Sequence, residues 1–316
     1  MDKYNQNLMI KLSELYYIDE MTQQQIANRL KISRVKVSRI LTNAKKRGII
    51  EVSINYPIGN CVQMERQFEK LFSLKESLII SSKDKSREIV YNEVARTAAK
   101  YLTEKIKNGD ILGVSWGRTL YQMSSYIKYS GKKVDIVQML GNVGSNDVSA
   151  DEIVRRLSDV FNSKYYLLPA PAIVDNEKIK NTIISDSAIA QIFRKMEQIT
   201  VATVGIGDLS KESTFVASGY LKENDINLLR KSSSIGDICG RFFDENGNVS
   251  DICFNRRVIG INLEQLKKIP YVIGVVSGSQ KAMAILGALR SGVLDVLITD
   301  EITALKVFSK FNKKGN

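Results

Sequence analysis

Residues 21–50 read MTQQQIANRLKISRVKVSRILTNAKKRGII. Eight basic residues stand in this stretch (Arg29, Lys31, Arg34, Lys36, Arg39, Lys45, Lys46 and Arg47) and no acidic one. Thr22 followed three residues later by Gln25 is the signature of a helix N-terminus in which each side chain caps the other residue's backbone N–H. Ile26, Ala27 and Leu30 then form the inner face of a short helix. After a turn at Lys31-Ile32, Ser33 is a second N-cap, and Val37, Ile40, Leu41 and Ala44 recur at helical spacing until Gly48 ends the run. Residues 49–54 (IIEVSI) alternate as a wing strand would. Upstream, Leu8, Ile10, Leu12, Leu15 and Tyr16 mark an earlier helix over residues 7–17.

A helix, a short helix, a tight turn and a basic helix follow the plan of a helix-turn-helix module, whose last helix enters the DNA major groove N-terminus first. With Val37 and Leu41 inward, about 100° per residue turns Val35, Arg39 and Thr42 outward, flanked by Lys36 and Asn43. Arg and Lys read guanine edges or hold phosphates, and Ser hydroxyls do either. Ser33, Arg34, Lys36, Ser38 and Arg39 are therefore the expected DNA-facing set, with Lys45, Lys46 and Arg47 on phosphates. A three-helix protein-interaction module with a basic solvent face is the alternative.

The charge of the whole chain agrees with this placement. The protein has 316 residues, a net charge of +12 and no histidine. Residues 1–56 hold ten basic and five acidic residues, so +5 sits in this short segment and +7 is spread over all the rest. The missing histidines exclude Ser-His-Asp and Cys-His catalysis and imidazole metal ligation, and no catalytic residue, cofactor or metal site is expected. Three cysteines, Cys61, Cys239 and Cys253, are too few and too scattered for a disulfide framework or a zinc knuckle. No apolar run approaches the roughly 20 residues of a membrane span, and the opening MDKYNQNLMIKLSEL is too polar for a secretory signal. A cytoplasmic location without a membrane partner is expected.

Tyr56-Pro57 closes a domain of residues 1–56. Residues 57–75 read as a linker built on a helix over 61–72 (CVQMERQFEKLF), and residues 76–316 as a second, larger domain. There, β-rich runs at 77–81, 111–116, 134–140, 165–168, 200–205, 271–276 and 296–299 alternate with helical runs at 86–106, 119–127, 150–161, near 186–196, 281–290 and the C-terminus. That alternation predicts an α/β domain with a mainly parallel sheet, in which ligands bind beyond the carboxyl ends of the strands.

Three loops are candidates. Residues 113–119 (GVSWGRT) contain G-x-S-x-G, but without histidine a nucleophile elbow has no triad. The remaining functional reading is an anion cradle, in which Gly117 permits close backbone approach and Ser115, Thr119 and a helix N-terminus donate hydrogen bonds. A plain strand-to-helix turn is the alternative. Residues 277–281 (SGSQK) place Lys281 in the first turn of a helix, where a cation opposes the helix dipole unless an anion offsets it; a lysine pointing to water is the bland reading. Residues 236–240 (GDICG) set Asp237 beside a glycine, suited to accept hydrogen bonds from sugar hydroxyls, although Asp-Gly turns occur without ligands.

These stretches occur in a recognisable order. The segment 21–50, GVSWGRTL, VDIVQMLGNVGS, YYLLPAPAIV, GDICGRFFDENG and VSGSQKAMAILGALRSGVLDVLITDEITA together resemble the SorC (sorbose-operon regulator) family of bacterial transcription factors over nearly the whole chain. The resemblance implies a sugar-phosphate isomerase-like effector domain that binds a phosphorylated sugar without turning it over. It also implies operator double-stranded DNA as partner and assembly into a homodimer or homotetramer. Carried over by motif, the phosphate loop falls on Ser115, Trp116, Gly117, Arg118 and Thr119, the phosphate-binding lysine on Lys281, and the sugar-facing acid on Asp237. Gly141 and Asn142 fall in a loop that commonly lines the pocket. Ser277 departs from the family pattern, standing where the first of two glycines is usual; its side chain either narrows the phosphate site or adds a hydroxyl donor. Met139-Leu140-Gly141-Asn142 lacks the lysine through which some members hold their sugar covalently. The expected function is a DNA-binding regulator of a carbohydrate-utilisation operon gated by a phosphorylated sugar. A sugar-phosphate isomerase with an accessory DNA-binding domain, using Asp237 or Asp244 as base, is the alternative.

Overall fold

The structure, a computed structural model, describes residues 3–51, 60–142, 149–217, 219–221, 223–250 and 252–312. The chain divides into two compact units, Met1–Pro57 and Ile58–Asn316.

The first unit holds α1 (Lys3–Tyr17), α2 (Gln23–Leu30) and α3 (Arg34–Lys46). The reciprocal cap forms as the sequence requires: Thr22 Oγ1 accepts from Gln25 N–H, and the Gln25 side chain accepts from Thr22 N–H. Lys31, with φ +51°, reverses the chain at the end of α2. Ser33 then caps α3, accepting from Lys36 N–H at 3.2 Å. Leu12, Leu15, Ile26, Ala27, Val37 and Leu41 close one small core. The expected wing is not a strand at residues 49–51, and its remainder, with Tyr56-Pro57, lies outside the described residues.

The second unit runs α4 (Val62–Phe72), β1 (Glu76–Ile80), α5 (Arg87–Lys105), β2 (Ile111–Val114), α6 (Arg118–Tyr126), β3 (Asp135–Gln138), α7 (Ala150–Phe161), β4 (Tyr165–Tyr166), α8 (Glu177–Ser185), α9 (Ser187–Met196) and β5 (Val201–Val204). It continues with β6 (Gly207–Asp208), α10 (Thr214–Ala217), α11 (Glu223–Lys231), β7 (Gly236–Ile238), β8 (Arg241–Phe243), α12 (Leu263–Leu266), β9 (Tyr271–Val275), α13 (Ala282–Arg290), β10 (Val296–Asp300) and α14 (Glu301–Asn312). The principal sheet has seven parallel strands in the order β1-β10-β9-β5-β2-β3-β4. Alternate strand residues serve two cores. Val296, Ile298, Ile273 and Val275 join α5, α6 and α7, whereas Leu297, Val272 and Ala202 face α4, α9, α13 and α14. Both faces are covered, so the strands read as continuous apolar runs rather than alternating ones.

Three features were not legible as expected. The helix anticipated as a linker is built into this unit: Phe68 is fully buried and its ring lies 4.5 Å from that of Phe308 on α14. Helices α8, α10, α11 and α12 occupy stretches the alternation left unassigned. A small antiparallel sheet, β6-β7-β8, carries the GDICG motif where no strand was expected, because its two- and three-residue strands lie in no longer apolar run.

Strand order sets the position of the site. β2 pairs with β3 on one side and with β5 on the other, so the connections after β2 and β5 leave in opposite directions. A crevice opens at such a switch point, beyond the carboxyl ends of the strands.

Candidate functional site

On the first unit, Val37, Leu41 and Ala44 are buried while Ser33, Arg34, Val35, Lys36, Arg39, Thr42, Lys45, Lys46 and Arg47 are exposed; Ser38 is partly covered. α3 thus presents one continuous basic and hydroxyl face, carried by an apolar seam set by the helical period. The Ser33 oxygen is engaged as the cap, leaving its O–H to donate outward. Thr42 is turned back, its hydroxyl donating to Ser38 C=O at 2.9 Å. Lys45 lies over the Tyr17 ring, 5.5 Å from its centroid, and this partner raises the ammonium pKa. Val35 is 78% exposed beside the expected contacts and was not counted among them. Its methyl groups suit a thymine methyl, and an apolar residue on an otherwise polar helix face was the available signal.

On the second unit, a cavity of about 890 Å³ lies at the switch point. The loop after β2 brings Ser115, Trp116, Gly117, Arg118 and Thr119 to it, the loop after β5 brings residues 205–207, and the loop after β9 brings residues 277–281. Asp237 and Cys239 reach it from β7 and the turn that follows, and Arg87 and Tyr91 from α5. Residues 212–215, leading into α10, close another side.

Gly117 is the N-cap of α6 at φ +133°, a conformation that a side chain resists, and no side chain caps the helix. The first N–H groups of α6 have no partner within the helix and border the cavity. Gly278 repeats the device at φ +120°, ahead of a single 3-10 turn at Ser279–Lys281. Lys281 Nζ donates to Ile206 C=O at 2.9 Å. Burial lowers its pKa, Asp208 and Asp237 counter that, and Arg118 lowers it further. Lys281, Arg118 and Arg87 thus share the cavity with an uncapped helix N-terminus, an arrangement that favours an anion.

Within electrostatic reach of Lys281 sits Asp237, 5% exposed. Its Oδ2 accepts from Gly240 N–H at 3.0 Å. Burial pushes the carboxyl up to about 7, against the hydrogen bond from Gly240 and the charge of Lys281, while Asp208 adds to the rise. Gly207 faces Asp237 across the β6–β7 pair, where an added Cβ would lie 1.9 Å from Asp237 Oδ1. The Cys239 thiol donates to Ser115 Oγ at 3.3 Å, and burial pushes it up to about 12, so it stays a thiol. Trp116, 6% exposed, packs edge-on against Phe215 at 4.8 Å and forms an apolar wall.

The structure corrects two expected residues. Gly141 and Asn142 do not line the cavity. Gly141 lies so close to the Ala170 and Pro171 carbonyls that a Cβ would meet them at 2.6 Å, and Asn142 N–H donates to Ala170 C=O at 2.7 Å. They stitch the end of β3 to the 170–172 segment instead. Ser277 supplies no donor to the anion pole, because its hydroxyl donates to Asp300 Oδ2 at 2.8 Å. Arg87 and Tyr91 were missed because nothing near them in sequence marks them. Residues 205–207 had a signal, a Gly-x-Gly directly after a strand.

A sequence profile described as "Putative sugar-binding domain" matches residues 56–309, and one described as "Crp-like helix-turn-helix domain" matches residues 11–60. The chain is 34% identical over 307 residues to the deoxyribonucleoside regulator of Bacillus subtilis (strain 168), covering 96% of this chain and 98% of that protein. It is 30% identical over 304 residues to the transcriptional regulator LsrR of Escherichia coli O9:H4 (strain HS), covering 94% and 93%. The crystal structure of the full-length sorbitol operon regulator SorC from Klebsiella pneumoniae superposes with a TM-score of 0.75 at 28% identity, covering 95% of this chain and 98% of that one. Among the described residues no helix is long and apolar enough to cross a membrane. The motif order, the two profile matches and these full-length likenesses agree: the chain belongs to the SorC family of bacterial sugar-responsive transcriptional regulators.

Proposed function

We propose that a phosphorylated sugar binds in the switch-point cavity and gates the binding of α3 to an operator. The observation that carries this reading is the pairing of poles in one cavity. Lys281, Arg118 and the uncapped N-terminus of α6 favour an anion, and Asp237 offers a carboxylate to hydroxyl groups. Charge-assisted hydrogen bonds of this kind are each worth about 1.5–3 kcal/mol. Ser115, Gly117, Arg118, Thr119 and Lys281 hold the phosphate, Trp116 forms a wall, and Asp237 takes the sugar. On α3, Ser33, Arg34, Lys36, Ser38 and Arg39 face the groove while Lys45, Lys46 and Arg47 hold phosphates. The protein regulates transcription and turns nothing over, a role that the names of the relatives above as regulators support, and it acts on cytoplasmic DNA as a homodimer or homotetramer.

Gating is a linkage: the effector must bind one state of the DNA-bound protein better than the other, and a hundredfold preference corresponds to about 2.7 kcal/mol. The test is operator affinity by fluorescence anisotropy during titration with a panel of sugar phosphates. At least one should shift the affinity of the parent, and Lys281→Ala should bind operator without responding. No response to any phosphorylated sugar, or an equal response in Lys281→Ala, rejects the reading.

A further inference from the structure

The motif VLITDEITA had no part in the site as read from sequence, yet it holds one of the loops that form it. Asp300, the last residue of β10, is 5% exposed. Its Oδ2 accepts the Ser277 hydroxyl at 2.8 Å, the Thr303 hydroxyl at 2.7 Å and Gly278 N–H at 3.3 Å, while Oδ1 accepts Thr303 N–H at 2.9 Å. Gly278 N–H also reaches Thr303 Oγ1 at 3.0 Å. One carboxylate therefore caps α14 and grips the loop after β9. The next residue does the same for the loop leading to α5: Glu301 Oε2 accepts the Ser81 hydroxyl at 3.0 Å and Ser82 N–H at 2.9 Å.

Ser277 has no positive φ, so its backbone does not call for the glycine usual there. What serine adds is a hydroxyl, and that hydroxyl is spent on Asp300. We infer that Ser277 and Asp300 form a positioning pair that holds the 278–281 loop in its anion-accepting form before the effector arrives. The inference rests on reading the cavity as the effector site. Gly278 is the weak point of the loop, free to leave φ +120° for many other conformations. A loop fixed in advance loses less conformational freedom on binding and so binds its anion more tightly.

The test uses the full chain carrying Ser277→Ala, Ser277→Gly or Ser277→Thr. Affinity for inorganic phosphate and for ribose 5-phosphate is measured by calorimetry, amide hydrogen exchange at residues 278–281 without ligand, and the thermal midpoint alongside. Removing one hydrogen bond to a buried carboxylate predicts roughly tenfold weaker binding and roughly tenfold faster exchange at Gly278 in the Ala and Gly variants. Exchange in the core strands should stay parental and the midpoint should fall by no more than about 2–4 °C, and Thr, which keeps the hydroxyl, should restore the affinity and the exchange at Gly278. Parental affinity and exchange in Ser277→Ala overturn the inference. So does a fall in midpoint with faster exchange throughout the core, which marks a purely structural role. If the parent binds neither probe, the effector reading falls, and the exchange rates alone still decide whether the pair holds the loop.

Discussion

Replacing Asp237 by Asn tests the electrostatics of the cavity through stability. The Asp237 carboxyl is pushed from an ordinary 3.8 up to about 7, first by burial. The folded protein holds this proton more tightly than the unfolded chain does. Stability from the group is therefore fully present below about pH 4 and is lost as pH rises through about 7. A tenfold change in proton affinity corresponds to about 1.4 kcal/mol, so a carboxyl raised from 3.8 to about 7 sets a ceiling near 4 kcal/mol, as an order of magnitude. Asn carries no charge at any pH, and its amide oxygen can still accept from Gly240 N–H. Asp237→Asn should therefore match the parent in acid and exceed it by about 2–4 kcal/mol at about pH 8, read from urea unfolding at a series of pH values. If the two stabilities differ by a constant amount from about pH 5 to about pH 8, Asp237 does not carry a raised pKa and the desolvated acid is wrong.

Arg39→Ala should weaken operator binding; a loss of about 1–3 kcal/mol confined to the specific sequence marks base readout, and a uniform loss with a salt slope reduced by about one marks a phosphate contact. Ser33→Ala removes the cap from α3 and should cost the first unit about 1 kcal/mol in chemical denaturation, with Ser33→Asp restoring it. Gly207→Ala drives a Cβ into the Asp237 carboxylate and should destabilise by about 1–3 kcal/mol while abolishing the effector response. Sensitive isomerisation assays on sugar phosphates should show no turnover that Asp237→Asn removes.

The helix-turn-helix was legible residue by residue because its signals are local. The box formed by Thr22 and Gln25, the Ser33 cap and the spacing of Val37, Leu41 and Ala44 all act within a few residues, and each is found where the spacing put it. The seven principal strands and most helices were legible for the same reason: a doubly covered parallel strand is an apolar run, and a helix beside it has its own period. The β6-β7-β8 sheet was not: its short strands lie in no longer apolar run, unlike the equally short β4, which opens the run 165–168 (YYLL).

The cavity divides the same way. Lys281 and the glycine loops at 113–119 and 277–281 announced themselves by composition, because a left-handed backbone position at a helix start favours glycine. Composition could not say that Ser277 turns toward Asp300, that Gly141 is pressed against the 170–171 carbonyls, or that Arg87 and Tyr91 complete a wall. Those facts depend on which strands lie side by side. Only the order β9-β5-β2 brings the ends of three distant segments to one crevice, and the small sheet then lowers Asp237 into it. Local chemistry in the chain selected the residue types, and long-range strand pairing decided which of them meet.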